Sequence, residues 1–156
     1  MKRVWFISST GGHLSELMKL KPMFKDYDYH ILTEKTKTNS HLNDEYGSRI
    51  HYVPYGTQDH LFKYVFIFIF NWIKSFFLFL RYRPEYIVTT GTHTAVPMCY
   101  IAHLFKAKVI WIETLANATT PTKAGAMVKD IADLIIVQWE SMLEVYPDAV
   151  YGGWIY

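Results

Sequence analysis

Six short apolar runs, rich in branched and aromatic residues, are spread along the chain, and helical patterns separate most of them. This alternation is typical of a parallel sheet with helices on both faces, so we predict an α/β, Rossmann-like fold. The polar segments 34–48 and 114–130 are predicted as a mobile loop and as a flexible loop or loose helix. The predicted strands are residues 3–9, 29–33, 50–54, 86–89, 108–112 and 134–137, and the predicted helices are residues 13–24, about 60–81 and 93–105.

Length and composition limit the kind of protein this is. A chain of 156 residues predicts a single domain spanning 1–156, and 51% hydrophobic with 19% charged residues predicts a packed core. The net charge of +2 and the lack of a basic run argue against nucleic acid as a partner. The apolar run after Arg3 is shorter than the roughly 7–15 residues of a signal-peptide core, so we expect a protein of the cytoplasm or its membrane face. The single cysteine, Cys99, fits a buried thiol in a reducing compartment.

Two loops with a Thr-Gly pair and a histidine follow the first and fourth predicted strands. In a Rossmann-like order these strands are neighbours, and their carboxyl ends form the crevice where ligands bind. Glycines at such turns let backbone N–H groups approach a ligand, and helix N-termini favour negative charge. We predict that these loops hold a diphosphate or a cluster of sugar hydroxyls; the alternative is that the glycines only permit tight turns. The predicted binding residues are Thr10, Gly11, Gly12, Thr90, Gly91 and His93.

His13 and Glu113 are the predicted catalytic residues. His13 opens a helix at the mouth of the crevice, where it could act as general base on an acceptor hydroxyl, although a structural role is the alternative. Glu113 follows the fifth strand and could orient a histidine or bind a sugar hydroxyl. Glu16 stands where a dinucleotide fingerprint needs its third glycine, and no His-x-x-x-His pair occurs. We therefore predict no nicotinamide or flavin cofactor and no metal site.

The predicted helix at about 60–81 is unusually apolar. Sixteen of residues 61–80 are apolar, and the few polar side chains form a narrow stripe, so the apolar arc is wider than packing on one sheet face requires. An interfacial helix is the favoured interpretation, and a membrane span and a fully buried core helix are the alternatives. The predicted lipid-facing residues are Phe68, Trp72 and Phe79, and the predicted headgroup-facing residues are Lys63 and Lys74.

Four motifs occur in a fixed order along the chain: Ser8 to Leu14 (SSTGGHL), Thr89 to Pro97 (TTGTHTAVP), Ile112 to Leu115 (IETL) and Ala132 to Trp139 (ADLIIVQW). Together they resemble the PssD-like polysaccharide biosynthesis family, the bacterial relatives of the membrane-anchor subunit of the eukaryotic dolichol-linked GlcNAc transferase. The resemblance covers essentially the whole chain, and MurG-like transferases share only the glycine-histidine motif.

The resemblance implies the N-terminal, acceptor-side half of a GT-B glycosyltransferase for exopolysaccharide or capsular polysaccharide. By it, the chain binds a polyprenyl-diphosphate-linked sugar at the cytoplasmic face of the plasma membrane and recruits a catalytic subunit that binds the UDP-sugar. Thr10 to His13 map to the acceptor-facing loop and Glu113 to the family's acidic position. A non-catalytic membrane adaptor and a self-sufficient small nucleotide-sugar transferase are the alternatives.

The last residues, Trp154, Ile155 and Tyr156, are large and apolar, whereas chain ends are usually frayed and polar. We predict that they form a docking surface for the partner subunit. The alternative is a last strand edge folded back on the domain.

Overall fold

A computed structural model describes residues 1–56 and 61–155, with side chains of the helix that begins at Leu61 described from Tyr64 onward. Its strands are β1 (Arg3–Ile7), β2 (Asp28–Lys35), β3 (Ile50–Pro54), β4 (Tyr86–Thr89), β5 (Lys108–Ile112), β6 (Leu134–Val137) and β7 (Val150–Tyr151). They form one parallel sheet in the order β3-β2-β1-β4-β5-β6-β7. The predicted Rossmann-like parallel sheet is confirmed.

Helices cover both faces of the sheet. Alternate side chains of β1 serve opposite faces, as strand pleating requires: Trp5 and Ile7 belong to one buried cluster, Val4 and Phe6 to the other. The helices are α1 (Gly12–Lys19), α2 (Lys21–Phe24), α3 (Leu42–Tyr46), α4 (Leu61–Tyr82), α5 (Val96–Leu104) and α6 (Lys123–Val128). The first cluster includes side chains of α4, α5 and α6, and the second includes side chains of α1, α2 and α3.

The sheet order brings the two predicted loops together. β1 and β4 pair directly, with Ile7 opposite Thr89 at their carboxyl ends. The chain reverses its direction of winding at this point, since β2 lies on one side of β1 and β4 on the other. The loops that leave β1 and β4 therefore face one crevice, as expected for a doubly wound sheet.

Several helix boundaries differ from the predicted ones, and two of the differences occur at prolines. The helix predicted over 13–24 is two helices, with Pro22 in the first turn of the second, because proline lacks an N–H and is tolerated there but not in a helix interior. The helix predicted from 93 begins at Val96, with Pro97 in its first turn. The apolar helix ends at Tyr82, one residue beyond the prediction, and its predicted start near 60 lies outside the described residues.

The two polar segments are more ordered than predicted. In 34–48, β2 continues to Lys35, α3 forms, and the buried Asn39 bridges the turn: its amide donates to the Glu34 carbonyl (2.7 Å) and its oxygen accepts from the Thr36 amide (3.0 Å). In 114–130, the Thr122 hydroxyl accepts from the Gly125 amide (3.0 Å) and caps α6. The edge strand β7 was not predicted, because two residues carry no periodic signal.

Candidate functional site

The two Thr-Gly loops hydrogen-bond to each other across the crevice. His13 Nδ1 lies 2.7 Å from the Thr90 carbonyl oxygen, and the Thr90 hydroxyl donates to the His13 carbonyl, also at 2.7 Å. A carbonyl oxygen only accepts hydrogen bonds, so His13 Nδ1 carries a proton and the neutral ring has its lone pair on Nε2. The structure thus gives the imidazole the tautomer that a general base needs.

The ring of His13 is fixed on the β4 side by Gly91. A Cβ built on Gly91 would lie 3.5 Å from His13 Nδ1 and 3.5 Å from Trp111 Cζ2, so the imidazole packs over this glycine beside the indole. Gly91 has φ of +95°, a conformation that other residues rarely adopt. The His13 side chain is 22% exposed, so part of the imidazole is accessible to solvent.

The first loop makes its turn at Gly11. This residue caps the N-terminus of α1 with φ of 71° and ψ of −137°, and a Cβ at Gly11 or Gly12 would meet no atom within 4 Å. The space beside these two glycines is therefore open, and ligand binding by the loop stays a prediction. The amide of Thr10 is engaged, since it donates to Glu34 Oε2 at 3.3 Å. A cleft of about 490 Å³ opens on this side, between α1 and the residues around Asn39.

Glu34 is a buried carboxylate of the crevice that the sequence analysis missed. It is the penultimate residue of β2, is 2% exposed, and its Oε1 accepts from the Thr94 hydroxyl (2.8 Å) and lies 3.3 Å from His93 Nε2. Together with the bond from Thr10, it ties the ends of β1, β2 and β4 and sets the position of His93. The available signal was its place after the apolar run Ile31–Leu32, at the carboxyl end of a strand beside β1.

Glu113 makes contacts other than those predicted. It is 1% exposed, and its carboxylate accepts from Trp111 Nε1 (2.9 Å), the Tyr146 hydroxyl (3.1 Å) and the Thr122 amide (3.0 Å). Among the described contacts of Glu113 there is none with a histidine, so the structure offers no support for the expectation that it orients one. Burial, followed by the nearby Glu113 carboxylate, raises the pKa of Tyr146. Glu113 holds the segment after β5, and a catalytic role for it stays a prediction.

Glu16 is the carboxylate closest to His13 in the described contacts. One turn along α1, its Oε2 lies 3.8 Å from His13 Nδ1. Its Oε1 accepts from the Thr114 hydroxyl (2.8 Å) and the Leu115 amide (3.2 Å). The sequence analysis treated Glu16 only as a mismatch to a cofactor motif. Its spacing of three residues from His13 was the signal that could have paired them.

The apolar helix α4 has its polar side chains facing the protein. Asn71 is 4% exposed and donates to the Thr94 carbonyl (3.2 Å), and the buried Ser75 donates to Asn71 (3.3 Å). Lys74 donates to the Tyr52 carbonyl, and burial lowers its pKa. Lys74 therefore contacts β3 rather than pointing freely outward, which corrects its predicted orientation toward headgroups. The side chain of Lys63 lies outside the described residues.

The predicted lipid-facing residues of α4 need the same correction. Phe79 is 5% exposed and packs in the core against Phe105, at a centroid distance of 5.1 Å. Trp72 is half-buried beside Tyr100, and Phe68 is half-buried beside Trp72. The outward face of α4, called here the apolar face, consists of Val65, Phe66, Ile69, Phe70, Ile73, Phe76, Phe77 and Leu80, which are 39–72% exposed.

The exposure of α4 decides one of the alternatives. Only 17% of its most apolar stretch is buried, so a fully buried core helix is excluded. Within the described residues, Tyr64–Tyr82 is the one helix long and apolar enough to cross a membrane by length and composition. Basic residues lie at its far end: Arg81, Arg83 and Lys106 are exposed beside Leu104 and Phe105, which are 75% and 46% exposed.

The C-terminal tail is partly folded back. Ile155 is half-buried against the sheet, and its amide donates to Gln138 Oε1 at 3.1 Å. Trp154 is 67% exposed and meets the Trp139 ring edge-on at 5.7 Å. Ile155 thus matches the folded-back alternative and Trp154 is available on the surface, whereas Tyr156 lies outside the described residues. The predicted partner contact stays a prediction.

Comparison with known proteins finds relatives along nearly the whole chain. A family model described as "Oligosaccharide biosynthesis protein Alg14 like" matches residues 4–155. The UDP-N-acetylglucosamine transferase subunit ALG14 of Mus musculus is 25% identical over 177 residues, covering 97% of this chain and 82% of that protein. The chain is also 24% identical to a UDP-N-acetylglucosamine--N-acetylmuramyl-(pentapeptide) pyrophosphoryl-undecaprenol N-acetylglucosamine transferase of Borrelia garinii, with 97% of this chain and 45% of that protein covered.

Among solved structures, the crystal structure of Acinetobacter baumannii MurG superposes with a TM-score of 0.73 at 15% identity. The match covers 90% of this chain and 43% of MurG. At this identity the likeness concerns the fold alone, and it identifies the sheet as the kind found in GT-B proteins.

Proposed function

This chain belongs to the Alg14-like family of oligosaccharide biosynthesis proteins, and from that premise we propose that it is the acceptor-side subunit of a two-subunit glycosyltransferase. The mouse relative is named as a subunit of a UDP-N-acetylglucosamine transferase. The Borrelia relative is named as acting on a pyrophosphoryl-undecaprenol, and this chain corresponds to less than half of its length. The name of the mouse relative, a subunit, supports an acceptor-side domain that works together with a second, nucleotide-sugar-binding chain.

The observation that carries the catalytic part of the proposal is the orientation of His13. With Nδ1 bonded to the Thr90 carbonyl, Nε2 is the free nitrogen, and the open backbone of Gly11 and Gly12 lies next to it in sequence. A lipid-linked sugar whose diphosphate contacts this helix N-terminus would place a sugar hydroxyl near the base. Nε2 takes the hydroxyl proton while the oxygen attacks the anomeric carbon of the nucleotide sugar held by the partner, and UDP leaves.

The apolar face of α4 supports membrane attachment. Eight large apolar side chains of one helix are exposed together, and such contiguous patches on soluble proteins are typical of interaction sites. Because the polar side of α4 is bonded to the sheet, the helix cannot turn this face inward without losing the contacts of Asn71 and Ser75. We therefore propose an interfacial helix that lies in the headgroup region on the cytoplasmic side, with Arg81 and Lys106 near phosphates.

The resemblance to the PssD-like family supports exopolysaccharide or capsular polysaccharide as the product.

Reconstituted transfer tests the enzymatic proposal. The chain, a candidate UDP-sugar-binding partner and the pair are each assayed for transfer from a labelled UDP-sugar to a polyprenyl-diphosphate-linked sugar. We expect transfer only when both subunits are present. His13→Ala should lower kcat by about 100-fold or more, since general bases contribute about that factor. Transfer by this chain alone would make it self-sufficient, and an unchanged rate for His13→Ala with the complex intact would make it a non-catalytic adaptor.

Vesicle flotation tests the membrane surface. Replacing Ile69, Ile73 and Phe77 by serine removes three exposed side chains of the apolar face. We expect most of the vesicle-bound fraction to be lost, because membrane partition scales with buried apolar area. The matched control replaces Met127, Val150 and Tyr151 by serine, since these side chains are 46–52% exposed elsewhere on the protein. This control variant should float with vesicles like the unmodified chain. Equal loss in both triple variants would contradict a localised membrane surface.

A further inference from the structure

The carboxylate of Glu16 has one oxygen without a hydrogen-bond partner. Its side chain is 14% exposed, and Oε2 is buried with no donor within hydrogen-bond distance among the described residues. Leaving a buried charged oxygen without a donor costs free energy, so such groups need an explanation. The ion-pair partner of this oxygen among the described residues is His13, whose Nδ1 lies 3.8 Å away.

The spacing of the two residues makes their contact a property of the helix. His13 and Glu16 are three residues apart on α1, which places both side chains on one face of the helix. The other oxygen, Oε1, accepts from the Thr114 hydroxyl and the Leu115 amide, so the carboxylate is held from the β5 side.

The charge on His13 changes during the proposed transfer step. The acceptor O–H bond breaks, its proton goes to Nε2, and the acceptor oxygen bonds to the anomeric carbon. The bond from that carbon to the diphosphate breaks, and UDP leaves with the electron pair. The imidazole is then a cation whose Nδ1–H still donates to the Thr90 carbonyl, which supplies only a dipole.

We propose that Glu16 is the positioning residue of His13: its buried Oε2, 3.8 Å from Nδ1, stabilises the imidazolium formed in transfer and keeps the ring in its Nδ1–H tautomer. This inference rests on the proposed function. Glu16 itself neither gains nor loses a proton. The sequence suggested Glu113 as the partner of a histidine, whereas here Glu16 is the partner of His13.

Charge and structural support are separable at this position. Glu16→Gln keeps a carbonyl oxygen for the Thr114 and Leu115 donors but removes the negative charge. Thr114→Val removes one structural hydrogen bond and leaves the charge in place. A purely structural Glu16 predicts that Thr114→Val harms transfer about as much as Glu16→Gln does.

The assay uses the complete two-subunit complex. For Glu16→Gln we expect kcat to fall about 10-fold, equivalent to about 1.4 kcal/mol, with KM for the lipid acceptor nearly unchanged. Thr114→Val should keep kcat within about two-fold of the unmodified complex. In a His13→Ala background, Glu16→Gln should have almost no further effect, because its partner is gone.

The outcomes separate this inference from the proposed function. If His13→Ala loses activity and Glu16→Gln does not, the role of Glu16 is refuted while the base is retained. If Glu16→Gln lowers kcat equally with and without His13, Glu16 acts elsewhere and the inference fails. An unchanged rate for His13→Ala refutes the catalytic proposal itself.

Discussion

Acidification should weaken the attachment of α4 to the sheet through a pair of histidines beneath it. His51 Nε2 lies 3.0 Å from His30 Nδ1, and the His51 ring stacks on Trp5 at a centroid distance of 5.0 Å, beside Tyr82 of α4. Burial, and then the positive charges of His30, Lys74 and Arg81, lower the pKa of His51 from 6.5 to about 4. Burial also lowers the pKa of His30.

The direction of the pH effect on stability depends on whether the folded or the unfolded chain binds more protons. Because the pKa of His51 is lower in the folded protein, the unfolded chain binds more protons between pH 6.5 and about 4. Stability is therefore full above this window and falls as the pH decreases through it. A shift of this size in a fully buried group would remove about 2 kcal/mol at pH 5. Since His51 is only half-buried, solvent screening reduces the expected loss to about 1 kcal/mol.

Urea unfolding in a mild detergent, at pH values from 7.5 to 4.5, measures this loss. The comparison is with His51→Gln, which does not titrate but can still donate to His30 Nδ1. Between pH 7.5 and pH 5 the free energy of unfolding of the unmodified chain should fall by about 1 kcal/mol relative to that of His51→Gln, whichever of the two is more stable at neutral pH. Parallel pH profiles for the two proteins would refute the reasoning, because they would show that His51 is solvated like a surface histidine.

Other substitutions test the packing around the site. Gly125→Ala should lower the free energy of unfolding by about 1–3 kcal/mol, since its Cβ would lie 2.4 Å from Glu113 Oε2 and 2.6 Å from the Tyr146 hydroxyl; Ala126→Ser, exposed on the same helix, is the control. Asn71→Ala should lower the free energy of unfolding in detergent by about 1–3 kcal/mol, because it leaves the Thr94 carbonyl without its donor. Ile73→Ala, on the apolar face, should lower it by less than about 0.5 kcal/mol, and equal losses would contradict the inward orientation of Asn71. Gly91→Ala should lower the free energy of unfolding by about 1 kcal/mol, because the φ of +95° at this position strains any residue with a side chain, and it should also lower kcat of the complex, because the new Cβ lies beside His13. Full activity of this variant would show that the His13 ring tolerates the added Cβ.

The sequence by itself determined the sheet and the place of the crevice. Apolar runs such as Tyr86–Thr89 and Lys108–Ile112 match the strands, because buried parallel strands carry a dense local signal of branched and aromatic residues. The two Thr-Gly loops could be placed together because winding rules fix which strand ends are neighbours. The excess apolar arc of α4 was also readable, since it depends only on helical periodicity.

Which side chains meet was decided by the tertiary structure alone. Glu113 follows β5 and Glu34 is the penultimate residue of β2, and both look available in the sequence. Glu113 is nevertheless enclosed by Trp111, Tyr146 and Thr122, whereas Glu34 contacts His93 of the crevice. The sequence shows a polar stripe on α4, but only packing against Thr94 and Tyr52 shows that this stripe faces inward. Periodicity gives the angle between side chains on one element, whereas their partners depend on the neighbouring elements, which lie tens of residues away in the chain.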